Sequence, residues 1–262
     1  RERVHQSADA PPGSHHFNRV REAVAVLAGR HRLRTKQTHG VGIWGGADGQ
    51  IVLVGAGEAA VWNAATGTLE RVRRPAAAGL LLDLSSNRTW FSVDRMRANL
   101  ESAADAGWRN RAVEEVVSHL ARWKWRDGYG APALVAGLTL ASWVQTLWRW
   151  RPLVCLTGES GSGKSTLFGY LAGLFGGLAL LSCKPSEPGL RQAIGDRAPV
   201  VLIDEFENDA HRRKVLELLR TSGTGTKLLR GTPGAGHVEY GIQHICWVGA
   251  IEVGLDRQPD RN

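Results

Sequence analysis

A glycine-rich segment in the second half of the chain carries residues suited to holding a phosphate chain. Gly158-Glu-Ser-Gly-Ser-Gly-Lys-Ser165 fits the pattern G-x-x-x-x-G-K-S, between an apolar run, Leu153 to Thr157, and a helix-like run, Thr166 to Leu171. Glycines let successive backbone N–H groups turn inward at a helix N-terminus and form an anion nest. The segment therefore predicts a nucleotide triphosphate site. Its predicted contact residues are Gly158, Glu159, Ser160, Gly161, Ser162, Gly163, Lys164, Ser165 and Thr166.

Two carboxylates follow a second apolar run, at Asp204 and Glu205 after Val200 to Ile203. The run predicts a buried strand that delivers both side chains at its carboxyl edge, where ligands bind in open α/β sheets. Lys164 is expected to reach the β- and γ-phosphates of ATP, and Ser165 and Asp204 to hold Mg²⁺. Glu205 is placed to polarise the attacking water as general base. The predicted chemistry is magnesium-dependent ATP hydrolysis.

The elements that must position these residues alternate between strand and helix, which indicates an α/β fold with a parallel sheet. Leu178 to Ser182 predicts a further strand, Pro188 to Ile194 a short helix, and His244 to Ile251 a later core strand. A strand between the glycine-rich segment and the acidic strand is typical of additional-strand NTPases rather than nucleotide kinases. No L-S-G-G-Q-like signature is present, which argues against a transporter-type ATPase.

Three regions are predicted along the chain: a small basic α+β region over 1–92, a helical linker or bundle over 93–150, and the α/β core over 151–262. The helical region contains an uncharged run, Ala131 to Trp148, which favours a buried helix over a membrane span. Its clustered tryptophans, including Trp123 and Trp125, are expected to pack in a core or subunit interface rather than stack on nucleic-acid bases. A β-meander is predicted from Val41–Trp44, Ile51–Val54, Ala59–Trp62 and Leu69–Val72.

The composition is that of an ordinary soluble globular protein, with 43% hydrophobic and 22% charged residues. A net charge of +8 favours an acidic partner, of which nucleic acid is the commonest, although a solubilising surface explains it equally well. Cys155, Cys183 and Cys246 lie singly in apolar runs. They are interpreted as small core residues in a reducing compartment, which places the protein in the cytoplasm.

Basic residues recur between the acidic strand and the last predicted strand. His211 to Thr221 predicts a basic helix, which a Gly/Thr-rich stretch, Ser222 to Thr226, follows. Lys227 to Ile242 predicts a β-hairpin with its tip at Pro233 to Gly236. The hairpin carries Lys227, Arg230 and His237. These side chains are equally consistent with a solvated surface and with nucleic-acid contacts.

The glycine-rich segment, the acidic strand and the hairpin together resemble the helicase region of phage and mobile-element primase-helicases, over about residues 150 to 262. These are P-loop NTPases of the AAA+ type, near the superfamily-three helicases. The resemblance implies a homo-oligomer, a hexameric ring whose hairpins line a pore, with ATP turnover driving translocation on DNA. It places arginine-finger candidates at Arg257 and Arg261, of which Arg261 is preferred, with surface arginines as the alternative. Glu252 stands where the family usually has a sensing Asn or Thr, and the fifth core strand would follow Asn262.

The sequence therefore predicts an ATP-dependent nucleic-acid motor, most simply a DNA helicase, with no membrane association. An AAA+ loader or regulator that assembles on DNA or protein without unwinding is the second hypothesis. A P-loop switch, in which nucleotide changes partner affinity, is the third. DNA-stimulated turnover separates the switch from the other two, and strand displacement separates helicase from loader.

Overall fold

A computed structural model of the chain describes residues 38–87, 90–126, 128, 130–206, 212–224, 228–232, 236–240 and 243–251. All of them belong to one compact unit of the chain, which begins at Thr38. Among the described helices, none combines the length and the apolarity needed to cross a membrane.

The predicted β-meander is confirmed as a four-stranded antiparallel sheet in which each strand pairs with the next along the chain. Alternate side chains divide between two clusters, one around Leu53 and Phe91 and one around Val52 and Leu82, so both faces of the sheet are covered. A smaller sheet adjoins it, with its middle strand paired on both sides. The meander strands are β2 (Gly42–Gly45), β3 (Ile51–Val54), β4 (Ala59–Asn63) and β5 (Thr68–Val72), and the smaller sheet is β1 (Thr38–His39), β6 (Ala76–Ala77) and β7 (Leu80–Leu82).

Three helices follow: α1 (Val93–Ala103), α2 (Ala106–Leu120) and α3 (Gly130–Trp143). The Asp105 carboxylate caps α2 by accepting from the backbone N–H groups of Gly107 and Trp108. Helix α3 was predicted to be buried, but it buries only one face, which includes Val135 and Thr139. Leu134 and Leu140 remain 64% and 58% exposed, because α3 packs on α2 and the α/β core from one side only.

The rest of the described chain is an α/β unit whose four strands are all parallel, in the spatial order β8, β13, β10, β9. Buried strands of a parallel sheet are nearly continuous apolar runs, and β10 and β13 are buried along their whole length. Helix α4 covers one face of the sheet, and α5 and α6 cover the other. The strands are β8 (Leu153–Thr157), β9 (Ala179–Cys183), β10 (Val200–Asp204) and β13 (Cys246–Ala250), and the helices are α4 (Lys164–Phe175), α5 (Glu187–Ile194) and α6 (Arg212–Thr224).

Between α6 and β13 the chain forms a two-stranded antiparallel hairpin, β11 (Leu228–Thr232) with β12 (Gly236–Tyr240). The predicted hairpin is therefore confirmed. The basic helix was predicted to end at Thr221, but α6 continues for three more residues, through Thr224. A tertiary contact overrides the local preference there: the buried Ser222 hydroxyl donates to the His244 carbonyl and accepts from the His244 N–H.

Two of the cysteines are at least partly buried, as predicted, but Cys183 is exposed. It ends β9, which pairs only with β10 among the described strands and so has an open edge. Burial raises the pKa of the Cys155 thiol, and it raises the pKa of the Cys246 thiol to about 12. Both buried thiols are therefore protonated at neutral pH and unreactive.

A buried imidazole lies where β13 begins. His244 is 3% exposed, and its Nε2 lies 3.2 Å from the Arg197 carbonyl, which can only accept, so Nε2 carries the proton. Burial, with smaller effects of the positive charges of Arg151 and Arg197, lowers the pKa of His244 from 6.5 to about 4. Between about pH 6.5 and about pH 4, His244 is therefore neutral in the folded protein but protonated in the unfolded chain.

This histidine should make the protein less stable in mild acid. Because the folded pKa lies below the unfolded one, His244 contributes stability above about pH 6.5, and that contribution is lost progressively as the pH falls toward 4. Between about pH 7 and about pH 5 the loss should be about 2 kcal/mol. Urea titrations at both pH values on wild type and His244→Asn should give a smaller pH dependence for the variant. Equal pH dependences in the two proteins would contradict the assignment.

Candidate functional site

The carboxyl ends of the four parallel strands meet at one edge of the sheet, and the predicted site residues lie there. In the strand register Thr157 of β8 pairs with Ala250 of β13, and Asp204 of β10 pairs with Cys183 of β9. Asp204 follows Ile203, whose partner across the ladder is Val248. The loop after β8 and the acidic pair that ends β10 are thus brought to the same edge, separated by β13.

The loop between β8 and α4 turns through two left-handed glycines, Gly161 at φ 76° and Gly163 at φ 86°. Side chains other than glycine rarely adopt this backbone conformation. The Gly158 N–H donates to the Ala250 carbonyl at 3.3 Å, which ties the start of the loop to β13. Helix α4 begins at Lys164, and the first N–H groups of a helix have no partners within it. The loop thus presents backbone donors at the positive end of a helix dipole.

The Lys164 ammonium lies across this loop. Its Nζ donates to the carbonyl oxygens of Gly158 at 2.6 Å and Glu159 at 2.9 Å, and it is 3.5 Å from the Ser162 hydroxyl. The acceptors in these three contacts, two carbonyl oxygens and a hydroxyl, are all uncharged. A phosphate oxygen would offer the same ammonium a charged acceptor, and charge-assisted hydrogen bonds are about twice as strong as neutral ones.

The acidic pair divides into one buried and one exposed carboxylate. Asp204 is 8% exposed, and its Oδ1 accepts from the Glu205 N–H at 2.9 Å, which fixes the carboxylate against the backbone. Glu205 is exposed, has a left-handed backbone at φ 53°, and its Oε2 lies 3.4 Å from the Nζ of Lys184, the residue after β9. A fixed carboxylate suits a metal or water ligand, and an exposed one can reach a water molecule.

The residues that could hold a metal ion are few. The described part of the chain contains no group of three or more His, Cys, Asp or Glu residues that could bind one. Ser165, exposed in the first turn of α4, and Asp204 would supply one hydroxyl and one carboxylate. Mg²⁺ in nucleotide sites is usually bound by one or two protein ligands together with substrate phosphates and water. The donor set thus fits magnesium brought in with a nucleotide.

A cleft of about 870 Å³ extends from this loop along β8 to helix α3. Its volume is within the range of small-molecule sites. Its lining combines Glu159, Ser162 and Lys164 of the loop with apolar and basic residues from the connector between α2 and α3, from α3 and from the end of β13. Those residues include Trp123, Lys124, Trp125, Arg126, Leu134, Leu138 and Ile251.

Two residues at the site were not predicted from the sequence. Trp123 was expected only to pack, but its indole N–H donates to the Gly163 carbonyl at 3.1 Å. Gly249 lies in β13, where a Cβ atom would stand 2.9 Å from the Phe168 ring and 3.3 Å from Asp204 Oδ1. A glycine inside an apolar strand often marks such a close approach, and this signal was present in the sequence.

The structure places the remaining predicted residues as follows. Lys164, Ser165 and Thr166 open α4 at the same sheet edge as Asp204 and Glu205. Arg230 and His237 lie on the two strands of the hairpin, where Arg230 pairs with Val238 and His237 with Gly231. Outside the described residues lie Lys227, Glu252, Arg257 and Arg261.

Comparison with known proteins adds no family to this geometry. No protein-family model matches the chain, and no curated protein matches it.

The contact of Gly249 with Phe168 and Asp204 predicts that Gly249→Ala destabilises the protein. A methyl group there would overpack the junction of β13, β10 and α4, which typically lowers the free energy of unfolding by about 1–3 kcal/mol. Gly169→Ala on α4 is the matched control, because no atom lies within 4 Å of its Cβ position. That variant should be neutral or more stable, since alanine favours helix. Urea titration measures both, and a Gly249→Ala protein as stable as wild type would refute the contact.

Proposed function

We propose that this chain is a P-loop NTPase that binds ATP with magnesium and hydrolyses it. One arrangement carries the proposal: a glycine-rich loop joins β8 to α4, the acidic pair ends β10, and β13 lies between the two strands. This arrangement puts a glycine-rich loop at a helix N-terminus, the Lys164 ammonium and two carboxylates at a single edge. Anion binding at a helix N-terminus and acid–base groups at the carboxyl ends of strands are the two requirements of phosphoryl transfer.

The residues divide the reaction between them. Backbone N–H groups of the loop and of the first turn of α4 hold the phosphate chain, and Lys164 exchanges its loop carbonyls for β- and γ-phosphate oxygens. Ser165 and Asp204 would hold Mg²⁺, which supplies charge neutralisation on the phosphates. Glu205, exposed beside the buried Asp204, takes the proton of the attacking water. For this step its carboxylate must leave Lys184 and face the water.

The proposal extends to a nucleic-acid motor, most simply a ring-forming DNA helicase. The β11–β12 hairpin supports this extension, because it is inserted in the chain between the acidic strand β10 and β13. Such an insertion leaves the sheet intact and presents a separate two-stranded element to a ligand. The net charge of +8 favours a polyanionic partner. In a ring, Arg261, or else Arg257, would act as an arginine finger on the neighbouring subunit's nucleotide.

Substitutions of Lys164 and Glu205 should have different effects. Lys164→Ala should abolish hydrolysis and weaken ATP binding, because the loop loses the ammonium that lies over it. Glu205→Gln should still bind ATP but turn over at least ~100-fold more slowly, as expected for a lost general base. Steady-state phosphate release and calorimetric ATP titration separate the two effects. Turnover of Glu205→Gln within a few-fold of wild type would remove Glu205 from the mechanism.

Neutralising the hairpin should weaken DNA binding without stopping basal ATP turnover. The double variant Lys227→Gln, Arg230→Gln would lose about two phosphate contacts, so the slope of log affinity against log salt on single strands should fall by about 1.4. Stimulation of ATP turnover by DNA should disappear. The control is Arg73→Gln with Arg74→Gln, which removes the same charge from exposed positions after β5. An unchanged salt slope in the hairpin variant would exclude the hairpin as the DNA contact. Stimulation by DNA without strand displacement would favour a loader over a helicase.

A further inference from the structure

In the connector between α2 and α3, Trp123 contacts the phosphate loop. The indole Nε1 of Trp123 donates a hydrogen bond of 3.1 Å to the carbonyl of Gly163, a residue 40 positions later. Gly163 is the last residue before α4 and precedes Lys164 directly. The glycine-rich pattern contains no residue of this connector, so the contact is an addition to the site.

The hydrogen bond from Trp123 orients the peptide group between Gly163 and Lys164. The same Gly163 carbonyl accepts from the Leu167 N–H at 2.9 Å, so two donors fix its direction. Because a trans peptide group is planar, its N–H points opposite to its carbonyl. Fixing the Gly163 carbonyl therefore fixes the direction of the Lys164 N–H. That N–H is one of the unpartnered donors at the start of α4.

The indole packs beside a stacked pair of aromatic rings. Its ring centroid lies 5.8 Å from that of His119 in the last turn of α2 and 6.2 Å from that of Tyr170 on α4. These two rings stack on each other with centroids 4.2 Å apart and planes 20° apart. A Cβ atom at residue 163 would lie only 3.1 Å from Trp123 Nε1, so this close approach of the indole to the loop backbone favours glycine at position 163.

We propose that Trp123 is a positioning residue of the nucleotide site, which orients the Gly163–Lys164 peptide for phosphate binding and couples the helical connector to the loop. This role rests on the proposed binding of a nucleoside triphosphate at the loop. It predicts that the connector senses occupancy, because a coupling between two groups acts equally in both directions. Trp123 thus affects binding of the phosphate chain of the ligand and not binding of its base.

Trp125 provides a matched control within the same connector. Both indoles are half-buried, line the same cleft and donate Nε1–H to a backbone carbonyl, but the acceptor of Trp125 is Leu120 in α2, at 2.8 Å. Substitution by phenylalanine removes the N–H donor and keeps an aromatic ring in either position. The two variants therefore lose the same kind of bond, and only Trp123→Phe loses it from the phosphate loop.

The experiment measures binding of magnesium–ATP and of magnesium–tripolyphosphate to wild type, Trp123→Phe and Trp125→Phe by calorimetry. Trp123→Phe should weaken both ligands about fivefold, as expected for one neutral hydrogen bond. Trp125→Phe, whose lost bond lies in α2 and not in the loop, should bind magnesium–tripolyphosphate within about twofold of wild type at a comparable loss of thermal stability. Equal affinities of Trp123→Phe and wild type, or equal losses in the two variants, would overturn the proposal.

A second measurement follows the Trp123 side chain in the wild-type protein by fluorine NMR. In protein labelled with 5-fluorotryptophan, the fluorine resonance absent from Trp123→Phe identifies Trp123, and that absent from Trp125→Phe identifies Trp125. Tripolyphosphate with magnesium should shift the Trp123 resonance more than that of Trp125. A wild-type protein that binds tripolyphosphate without moving the Trp123 resonance overturns the positioning role alone. A wild-type protein that binds neither ligand overturns the proposed function, and the positioning role with it.

Discussion

The buried amide of Gln145 joins the helical region to the α/β sheet and determines where two of its strands begin. Its Nε2 donates to the carbonyls of Ala198 and Pro199, and its Oε1 accepts from the Ile245 N–H at 2.6 Å. Gln145 is 1% exposed, so no water can replace these bonds, and each buried group left without a partner would cost about 1–3 kcal/mol. One side chain thereby satisfies backbone groups just before both β10 and β13. The Arg151 guanidinium, which donates to the Gln145 carbonyl, brings the start of β8 to the same point.

Because Gln145 fixes the starts of β10 and β13, it also fixes their register and the positions of the side chains at their carboxyl ends. Side chains in a strand alternate between faces, so a slip of one residue would move every one of them to the opposite face. In the observed register Gly249 lies beside Asp204, and the absence of a side chain there leaves room for the carboxylate and for the Phe168 ring. On the other side of Glu205, the Phe206 N–H donates to the Gly249 carbonyl at 2.7 Å. Asp204 and Phe206 are thus both held against β13, and the Glu205 side chain between these two residues is exposed. The buried and exposed carboxylates thus follow from the register of β10 against β13.

The elements of the site could be predicted from the sequence because each has a strong local signal. The glycine-rich pattern lies between apolar runs, and β10 and β13 are unbroken apolar segments, so the α/β unit and its acidic edge were expected. Predictions failed where a distant partner decides the outcome. The basic helix was predicted to end at Thr221 but includes Ser222, which bonds His244. Cys183 was predicted as a core residue but lies on an open strand. The role of Trp123 depends on a carbonyl 40 residues away, which no local pattern encodes.

Two strained backbone positions lie at this same edge of the sheet. Among the described residues, four other than glycine have a left-handed backbone, and two of them, Lys184 and Glu205, are the ion pair at the ends of β9 and β10. Such conformations cost of order 1 kcal/mol each and persist only where the surroundings hold them. An exposed ion pair contributes at most about 1 kcal/mol and is screened by salt, so it does not hold them alone. The buried strand ends beneath, fixed from Gln145 onward, supply the remaining constraint. The strand ends are therefore fixed from their buried side, while Glu205, which moves in the proposed mechanism, lies on a strained and exposed turn.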